Sequence, residues 1–441
     1  MIGFRSFRSK PKSRKSRPLG AAIVVVFPLP IVMGLSWSGR VIVVIADDIS
    51  GAAELAGVAF ERGLSSEVQT RFDPESMAAV VALDTDSRSL KPEQAARRVG
   101  GIAREVAAAR PALIYKKTDS VLRGGIVAEI DGILGALDWG QALLIPANPS
   151  RGRVIRSGEY FVDETPLAET EFASDPTHPT CTSSVLELLG PSNCGGTSSV
   201  RCGDPIFDRG ITVPDVSSAD NLRARAGELE NGILPAGGAE FFGAILDSLE
   251  SSASHSARTR PNQMTGEQPG VIDEGFGASL MVCGSRAAWV NGRRAQAKER
   301  GVGVLELPDE FVIPIDGDSA ETDWDDWLSQ VRCSLREAGA AMIAIGVEEP
   351  KGEGMAKRML DRLCLGAASI LGNEESGRLY LEGGATARAL VEEMGWTRFE
   401  AIGAVDGLSW MRPAGAGTPT ILIKPGSYDW PEAVWNEISG I

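Results

Sequence analysis

ALIYKKTDSVLRGGIVAEIDGILGAL, residues 112–137, passes from an apolar strand through a polar turn into an amphipathic helix. Ala112–Tyr115 reads as a short buried strand, and Ile126–Leu137 as a helix with Ile126, Ile130, Ile133 and Leu137 on one face. Between them Lys116, Lys117, Asp119, Arg123, two hydroxyls and a glycine pair are packed into one turn. In open α/β sheets, ligands bind at the carboxyl ends of strands, where the next helix offers free N–H groups to an anion. A basic, acidic and hydroxylic set there suits a small polyhydroxy acid, with Lys116, Lys117 or Arg123 on its carboxylate and Asp119 on a hydroxyl. The same residues would also serve as a salt-bridged loop.

The unit recurs on both sides. Val41–Ala46, VIVVIA, is a continuous apolar run of the kind buried on both faces of a parallel sheet, and it leads into Asp47, Asp48, Ser50 and Gly51 before a helix carrying Ala52, Leu55, Ala56 and Ala59 inward. Ala78–Leu83 ends in DTDSRS, Pro92–Ala109 is a helix, and Ala142–Ile145 runs into PANPSRGR. Strands alternating with helices predict an α/β fold with a doubly wound parallel sheet, its strand ends at Asp47, Asp84, Lys116 and Pro146 facing one way. Residues 150–240 are less regular, with Tyr160–Val162 and Pro166 in a turn-rich segment, a strand at Gly210–Val213 and a helix at Ala219–Glu228. A further helix places Phe241, Phe242, Ile245 and Leu249 inward. The polar Gly/Pro/Ser-rich stretch that follows reads as an interdomain linker.

Beyond it the rhythm resumes with strands at Ser279–Cys283, Val302–Leu307, Ala341–Val347, Leu379–Glu382 and Thr420–Lys424. Leu379–Glu382 ends in Gly383, Gly384, Ala385 and Thr386, which open a helix bearing Ala387, Leu390, Val391 and Met394, with Gly395 just past its end. A Gly-Gly-x-Thr turn at a helix N-terminus can cradle phosphates through backbone N–H groups, although such turns also serve packing. Walker-type and Rossmann glycine fingerprints are absent from the sequence. The expected organisation is a leader at 1–38, an α/β domain at 39–250, a linker at 251–278 and a second α/β domain at 279–441, each domain a mainly parallel sheet flanked by helices.

The net charge of −15 hides an asymmetry: residues 1–20 hold seven Lys/Arg and no acid, leaving 37 basic residues against 59 acidic ones. A body that acidic is a poor nucleic-acid binder, so anionic ligands need a local basic pocket. Six cysteines without C-x-x-C spacing indicate neither a zinc site nor a disulfide framework, and the expectation is a cytoplasmic protein. With only His178 and His255 present, a catalytic base is expected to be a carboxylate. Leu19–Trp37 reads as a signal peptide, a marginal membrane span, or sequence ahead of a true start at Met33. No membrane partner is expected of the body, and a homo-oligomer is compatible with the sequence.

With these motifs in hand, the chain resembles the four-carbon acid sugar kinase family over about residues 40–250 and 279–430. The resemblance is carried by ADDISGAAELAG at 46–57, DTDSR at 84–88, YKKTDSVLRG at 115–124, PANPSRGR at 146–153 and ETEFASDPTHP at 169–179, then by CGSRA at 283–287, GGATA at 383–387 and IKPGSY at 423–428. It implies a sugar-acid-binding N-terminal domain, a nucleotide-binding C-terminal domain, and ATP- and Mg2+-dependent phosphorylation of the terminal hydroxyl of erythronate, threonate or a 3-oxo-tetronate. Matching positions would give Asp47, Asp48, Arg88, Lys117, Asp119 and Arg123 to the sugar acid, and Ser285, Gly383, Gly384, Ala385, Thr386 and Gly426 to the nucleotide. The family usually carries an acidic residue where Ala385 stands, a further Gly-rich turn at Ser427 and Tyr428, and Asn where Gly125 stands.

Phosphoryl transfer to an alcohol depends mainly on positioning and charge stabilisation. Asp119 or Asp48 is the expected base, with Lys117 and Arg123 on the substrate carboxylate or the transferring phosphoryl group. One of Asp47 and Asp48 is also expected to cap the following helix. Arg88 could be an exposed loop residue; Arg151 and Arg153 could bind phosphate or stay solvated; His178 reads as structural. Two other classes remain open. One is a haloacid-dehalogenase-like sugar phosphatase with Asp84 as nucleophile. The other is a non-catalytic sugar-acid sensor, for which Ala385 and the altered last turn argue.

Overall fold

The structure, a computed structural model, describes residues 40–174, 179–256, 277–285, 288–308, 319–346, 354–372, 376–405, 407–415, 419–426 and 429–439. The leader, most of the expected linker, His178, Ser427 and Tyr428 lie outside the described residues. No helix among the described residues is long and apolar enough to cross a membrane.

The first half runs β1 (Ile42–Ala46), α1 (Ile49–Phe60), β2 (Ser66–Gln69), β3 (Val80–Asp84), α2 (Pro92–Ala108), β4 (Leu113–Lys117), α3 (Ile126–Leu137) and β5 (Gln141–Ile145). A small antiparallel sheet follows, made of β6 (Arg153–Arg156), β7 (Glu159–Val162) and β8 (Thr165–Pro166). Then come α4 (Val185–Leu189), β9 (Thr197–Val200), β10 (Gly210–Pro214), α5 (Ala219–Gly227), β11 (Ile233–Gly237) and α6 (Ala239–Ser256). The second half holds β12 (Ala278–Cys283), α7 (Arg294–Glu299), β13 (Gly303–Glu306), α8 (Ser319–Ala338), β14 (Ala340–Ala344), α9 (Met355–Leu371) and β15 (Ser376–Glu382). It closes with α10 (Gly384–Glu393), β16 (Arg398–Val405), β17 (Leu408–Pro413), β18 (Thr420–Lys424) and α11 (Glu432–Ser439).

The fold is α/β, as the alternating pattern predicts. Among the described residues, fifteen strands form one sheet in the order β13-β14-β12-β15-β18-β17-β16-β2-β3-β1-β4-β11-β5-β10-β9. From β2 to β9 every neighbouring pair is parallel, and so is every pair from β13 to β18. β16 and β17 join the two parallel blocks through three antiparallel steps, the last pairing Arg398–Glu400 with Glu67–Gln69. β1 is buried along its whole length, which a strand covered by helices on both faces requires.

That junction positions the site. The strands of the second block run opposite to those of the first within the sheet, so in a flat sheet their carboxyl ends would point away from each other. Six steps separate β15 from β1, and at roughly 20–25° of twist per step the second block is turned through roughly 120–150° relative to the first. Reversal and twist together leave the carboxyl ends of β1 and β15 on the same side, close enough that a Cβ on Gly384 would reach Asp48. One apolar cluster spans both blocks on the same side, joining Leu55 and Phe241 to Leu280, Leu390 and Met411.

Several elements differ from the sequence expectation. β2, β11 and the β16–β17 hairpin carry no alternation long enough to announce them, Tyr160–Val162 and Pro166 pair as strands rather than turns, and α6 continues six residues into the stretch read as a linker. β11 also enters between β4 and β5, so the four polar strand ends are not immediate neighbours.

Candidate functional site

Asp47 and Asp48 follow β1 directly, and the chain there turns into α1 with Asp48 as its N-cap, accepting from the Gly51 N–H at 2.8 Å and from the Ser50 hydroxyl at 2.6 Å. The expected capping role thus falls on Asp48. Arg88, from the loop after β3, inserts its guanidinium between the pair. It donates to Asp47 at 2.6 and 3.0 Å and to Asp48 at 2.7 and 2.9 Å, and it lies 3.8 Å from Asp119. Arg88 is therefore no loose surface residue: one planar fork is matched to two carboxylates, the geometry that favours Arg over Lys. Burial would raise the Asp47 carboxyl, but the charges of Arg88 and Lys116 outweigh it and hold it below its ordinary range.

Successive side chains of a strand point to opposite faces, so Lys116 and Lys117 part company at the end of β4. Lys116 is fully buried and pairs with Glu129 in the first turn of α3 at 2.7 Å, which makes it part of the core and removes it from the expected carboxylate-binding set. Lys117 turns toward α1, 3.1 Å from Glu54, and donates to the Thr118 carbonyl at 2.9 Å. Burial works to lower its amine, and the neighbouring Glu54 and Asp47 carboxylates more than offset that, so it is held charged. Asp119 takes Arg123 bidentately at 3.0 and 2.8 Å and accepts the N–H groups of Val121 and Arg123. Although burial opposes ionisation, Arg123 and Arg88 keep its carboxyl far below the usual carboxylate range. Arg153 donates to the Ser120 hydroxyl, and the guanidiniums of Arg123 and Arg153 each stand 5.9 Å from the Phe172 ring centre. Arg151 lies 3.8 Å from Glu54.

The second block supplies a complementary element. β15 ends at Glu382, Gly383 turns with φ +98°, which a side chain would strain, and α10 begins at Gly384. Its first-turn N–H groups have no intrahelical acceptors, as in any helix. The other residues expected on the nucleotide gather here. A Cβ on Gly284, just before Ser285, would collide with the Thr386 hydroxyl; one on Gly426 would lie 3.9 Å from the Gly383 Cα; Ala385 is exposed on the open side. Beneath the turn, buried Glu382 binds Arg293 at 3.1 Å and Lys424 at 3.0 Å, and the Lys424 carbonyl accepts the Gly383 N–H at 2.9 Å.

Both half-sites meet. A Cβ built on Gly384 would fall 2.5 Å from Asp48 Oδ2 and 3.4 Å from the Ser50 hydroxyl, so the N-terminus of α10 sits against the Asp48 carboxylate. Arg388, one turn further along α10, donates to Asp84 at the end of β3 at 2.9 Å. Asp84 is buried, which pushes its carboxyl up to about 7 against the pull of the Asp86 N–H and of Arg388. Both of its oxygens are engaged, one by the Asp86 N–H and one by Arg388.

Sequence reasoning missed Arg388, Glu382, Lys424, Arg293 and Glu54; of the two hydroxyls counted in the turn, that of Thr118 is buried without a hydrogen-bond partner. A signal for two of them was present: Glu382 and Lys424 are charged residues closing otherwise apolar strands.

Residues 42–226 match the family described as the sugar-binding N-terminal domain. A D-threonate kinase of Bordetella bronchiseptica is 37% identical over 162 residues, 34% of this chain and 40% of the relative, so the chain spans less than half the length of that relative. A 3-oxo-tetronate kinase of Methylobacterium radiotolerans is 26% identical over 419 residues, covering 87% of this chain and 95% of the relative. Among solved structures, a Salmonella typhimurium LT2 protein provisionally called a tRNA synthase superposes with a TM-score of 0.65 at 19% identity, over 89% of this chain and 97% of that one, which shows the shared fold.

Proposed function

We propose that the chain is a four-carbon acid sugar kinase, like the relatives it resembles, and that it transfers the terminal phosphoryl group of ATP to a hydroxyl of a four-carbon sugar acid. The observation that carries this reading is the approach of Gly384 to Asp48. An anion-binding helix N-terminus in one block is seated against a carboxylate and arginine cluster in the other, where an acceptor hydroxyl and a phosphate would have to meet.

The sugar acid would be held by Asp47, Asp48, Arg88, Lys117, Asp119 and Arg123. The phosphates would rest on the Gly383–Thr386 turn, bordered by Ser285 and Gly426. Asp48, which touches both sides, is assigned the acceptor hydroxyl's proton. Asp119, expected from the sequence as an alternative base, is instead assigned as the anchor of Arg123 and Arg88, because a carboxyl held so far below neutrality is a weak proton acceptor. No group of three or more acidic, histidine or cysteine side chains among the described residues is arranged to hold a metal. A magnesium ion would arrive on the triphosphate, which it would neutralise, touching one or two carboxylates.

The test is coupled ADP release by the full chain with ATP, magnesium and a panel of D- and L-erythronate, D- and L-threonate and their 3-oxo forms. Release that depends on one of these acids is expected; release indifferent to every acid would overturn the reading. Silence with a tetronate-dependent rise in melting temperature would leave a binding protein. In the same assay, D119N is expected to raise the sugar-acid KM about tenfold or more, since charge-assisted bonds of about 1.5–3 kcal/mol each organise Arg123, while kcat falls less. A variant that loses kcat at unchanged KM would return Asp119 to the base role.

A further inference from the structure

Arg388 lies outside the residues assigned above to sugar acid or nucleotide, yet it makes a contact across the two blocks beside the site. It projects from α10 four residues after Gly384, on the same side of the helix. Nη1 donates to Asp84 at 2.9 Å, and Nε and Nη2 donate to Glu392 at 2.8 and 2.7 Å, so the guanidinium is oriented by its own helix and presented to the other block. Asp84 cannot turn away, because its second oxygen accepts the Asp86 N–H at 2.8 Å and its side chain is enclosed at the end of β3. β3 pairs with β1 along its length, Ala46 beside Asp84, so the bond ties α10 to the same strand pair that presents Asp47 and Asp48.

Resting on the kinase reading, we infer that Arg388 is a positioning residue. Its bond to Asp84 holds the Gly383–Gly384 turn, and the phosphate chain lodged on it, in line with the hydroxyl held at Asp48. Without it, α10 keeps its own hydrogen bonds and its apolar contacts through Ala387, Leu390 and Val391, so both ligands still bind. What changes is their relative placement, the quantity to which in-line transfer is sensitive.

The experiment compares wild type, R388Q, R388K, D84N and D84N/R388Q in the coupled assay, with ADP and sugar-acid affinities measured separately by calorimetry. R388Q is expected to lose about 10²-fold in kcat, the scale of a misplacement near 1 Å, with both KM values and both affinities within about threefold of wild type. R388K should recover part of the loss, and the double variant should be no worse than R388Q, because both changes break one bond. R388Q turning over like wild type, or losing affinity for one ligand with kcat intact, would overturn the inference and leave the kinase reading standing. An inactive wild type would overturn the kinase reading itself, and this role with it. A purely structural arginine would show a lowered melting temperature without the kcat-specific loss and without rescue by lysine, which would also overturn it.

Discussion

R88Q is expected to be destabilised by about 3–5 kcal/mol at pH 7.5 and to have no measurable phosphotransfer, because removing one partner of a buried ion-pair network strands the others. Arg88 meets three carboxylates, those of Asp47, Asp48 and Asp119. Of these, Asp119 keeps Arg123 in the variant, whereas Asp47, 3% exposed, is left with the charges of Lys116 and Lys117 against the cost of its burial. The pH dependence separates this from a general packing defect. In wild type, Asp47 and Asp119 have depressed folded pKa values. Their stabilising contribution is therefore complete above the unfolded value near 3.8 and lost only as pH falls through the still lower folded values.

Between pH 7.5 and 5 these groups leave wild-type stability unchanged. In R88Q, burial is left to dominate Asp47, so its folded pKa moves above the unfolded value and the folded state takes up a proton first. The stability gap between variant and wild type should consequently narrow as pH falls from 7.5 toward 5. Denaturant titrations at both pH values read this directly. A gap below about 1 kcal/mol, or one that does not change with pH, would mean that the cluster is solvated and worth no more than a surface pair. R88K should recover only part of the loss, since a point charge cannot hold two carboxylates at four separate bonds.

Much of this site was legible because it is local. VIVVIA followed by Asp-Asp, and LIYKK followed by Thr-Asp-Ser, write strand, turn and ligand groups within about a dozen residues, and the Gly-Gly-x-Thr turn does the same for α10, whose end at Gly395 (φ +66°) also follows the expected pattern. What could not be read is what the chain assembles at a distance. β2 is four residues, SEVQ, and sits between β3, which follows closely in the chain, and a strand more than 300 residues later. β11, ILPAG, contains a proline that argues against a central strand; it is tolerated where the ladder to β4 is confined to Ala236 and Gly237. Asp84 and Arg388 lie 304 positions apart, and no periodicity connects them. Lys116 and Lys117 show the intermediate case. Either was a candidate for the substrate carboxylate, but strand geometry sends them to opposite faces, one into the core beside Glu129 and one toward Glu54.

The meeting of the two blocks makes the sign of one glycine substitution informative. Considered alone, Gly384→Ala at the start of α10 replaces the poorer helix former by the best one, and propensity predicts a gain of up to about 1 kcal/mol. The contact predicts the reverse. The added Cβ would stand 2.5 Å from Asp48 Oδ2, and that oxygen has little room to move: it accepts from Arg88 and Ser50, while Oδ1 of the same carboxylate caps α1 through Gly51. The helix must therefore yield, lifting its N-terminus off the carboxylate. Overpacking of this kind costs about 1–3 kcal/mol. Because the displaced groups are those proposed to carry the phosphates past Asp48, kcat should fall by about 10²-fold, with a smaller rise in the ATP KM. Melting temperature and steady-state kinetics of the single variant decide between the two signs. An alanine variant that is more stable than wild type and equally active would show that the blocks do not close on Asp48, and the reading of a shared site would fail with it. A less stable variant with intact sugar-acid binding and crippled turnover would place the transfer step at this one van der Waals contact between the two parallel blocks.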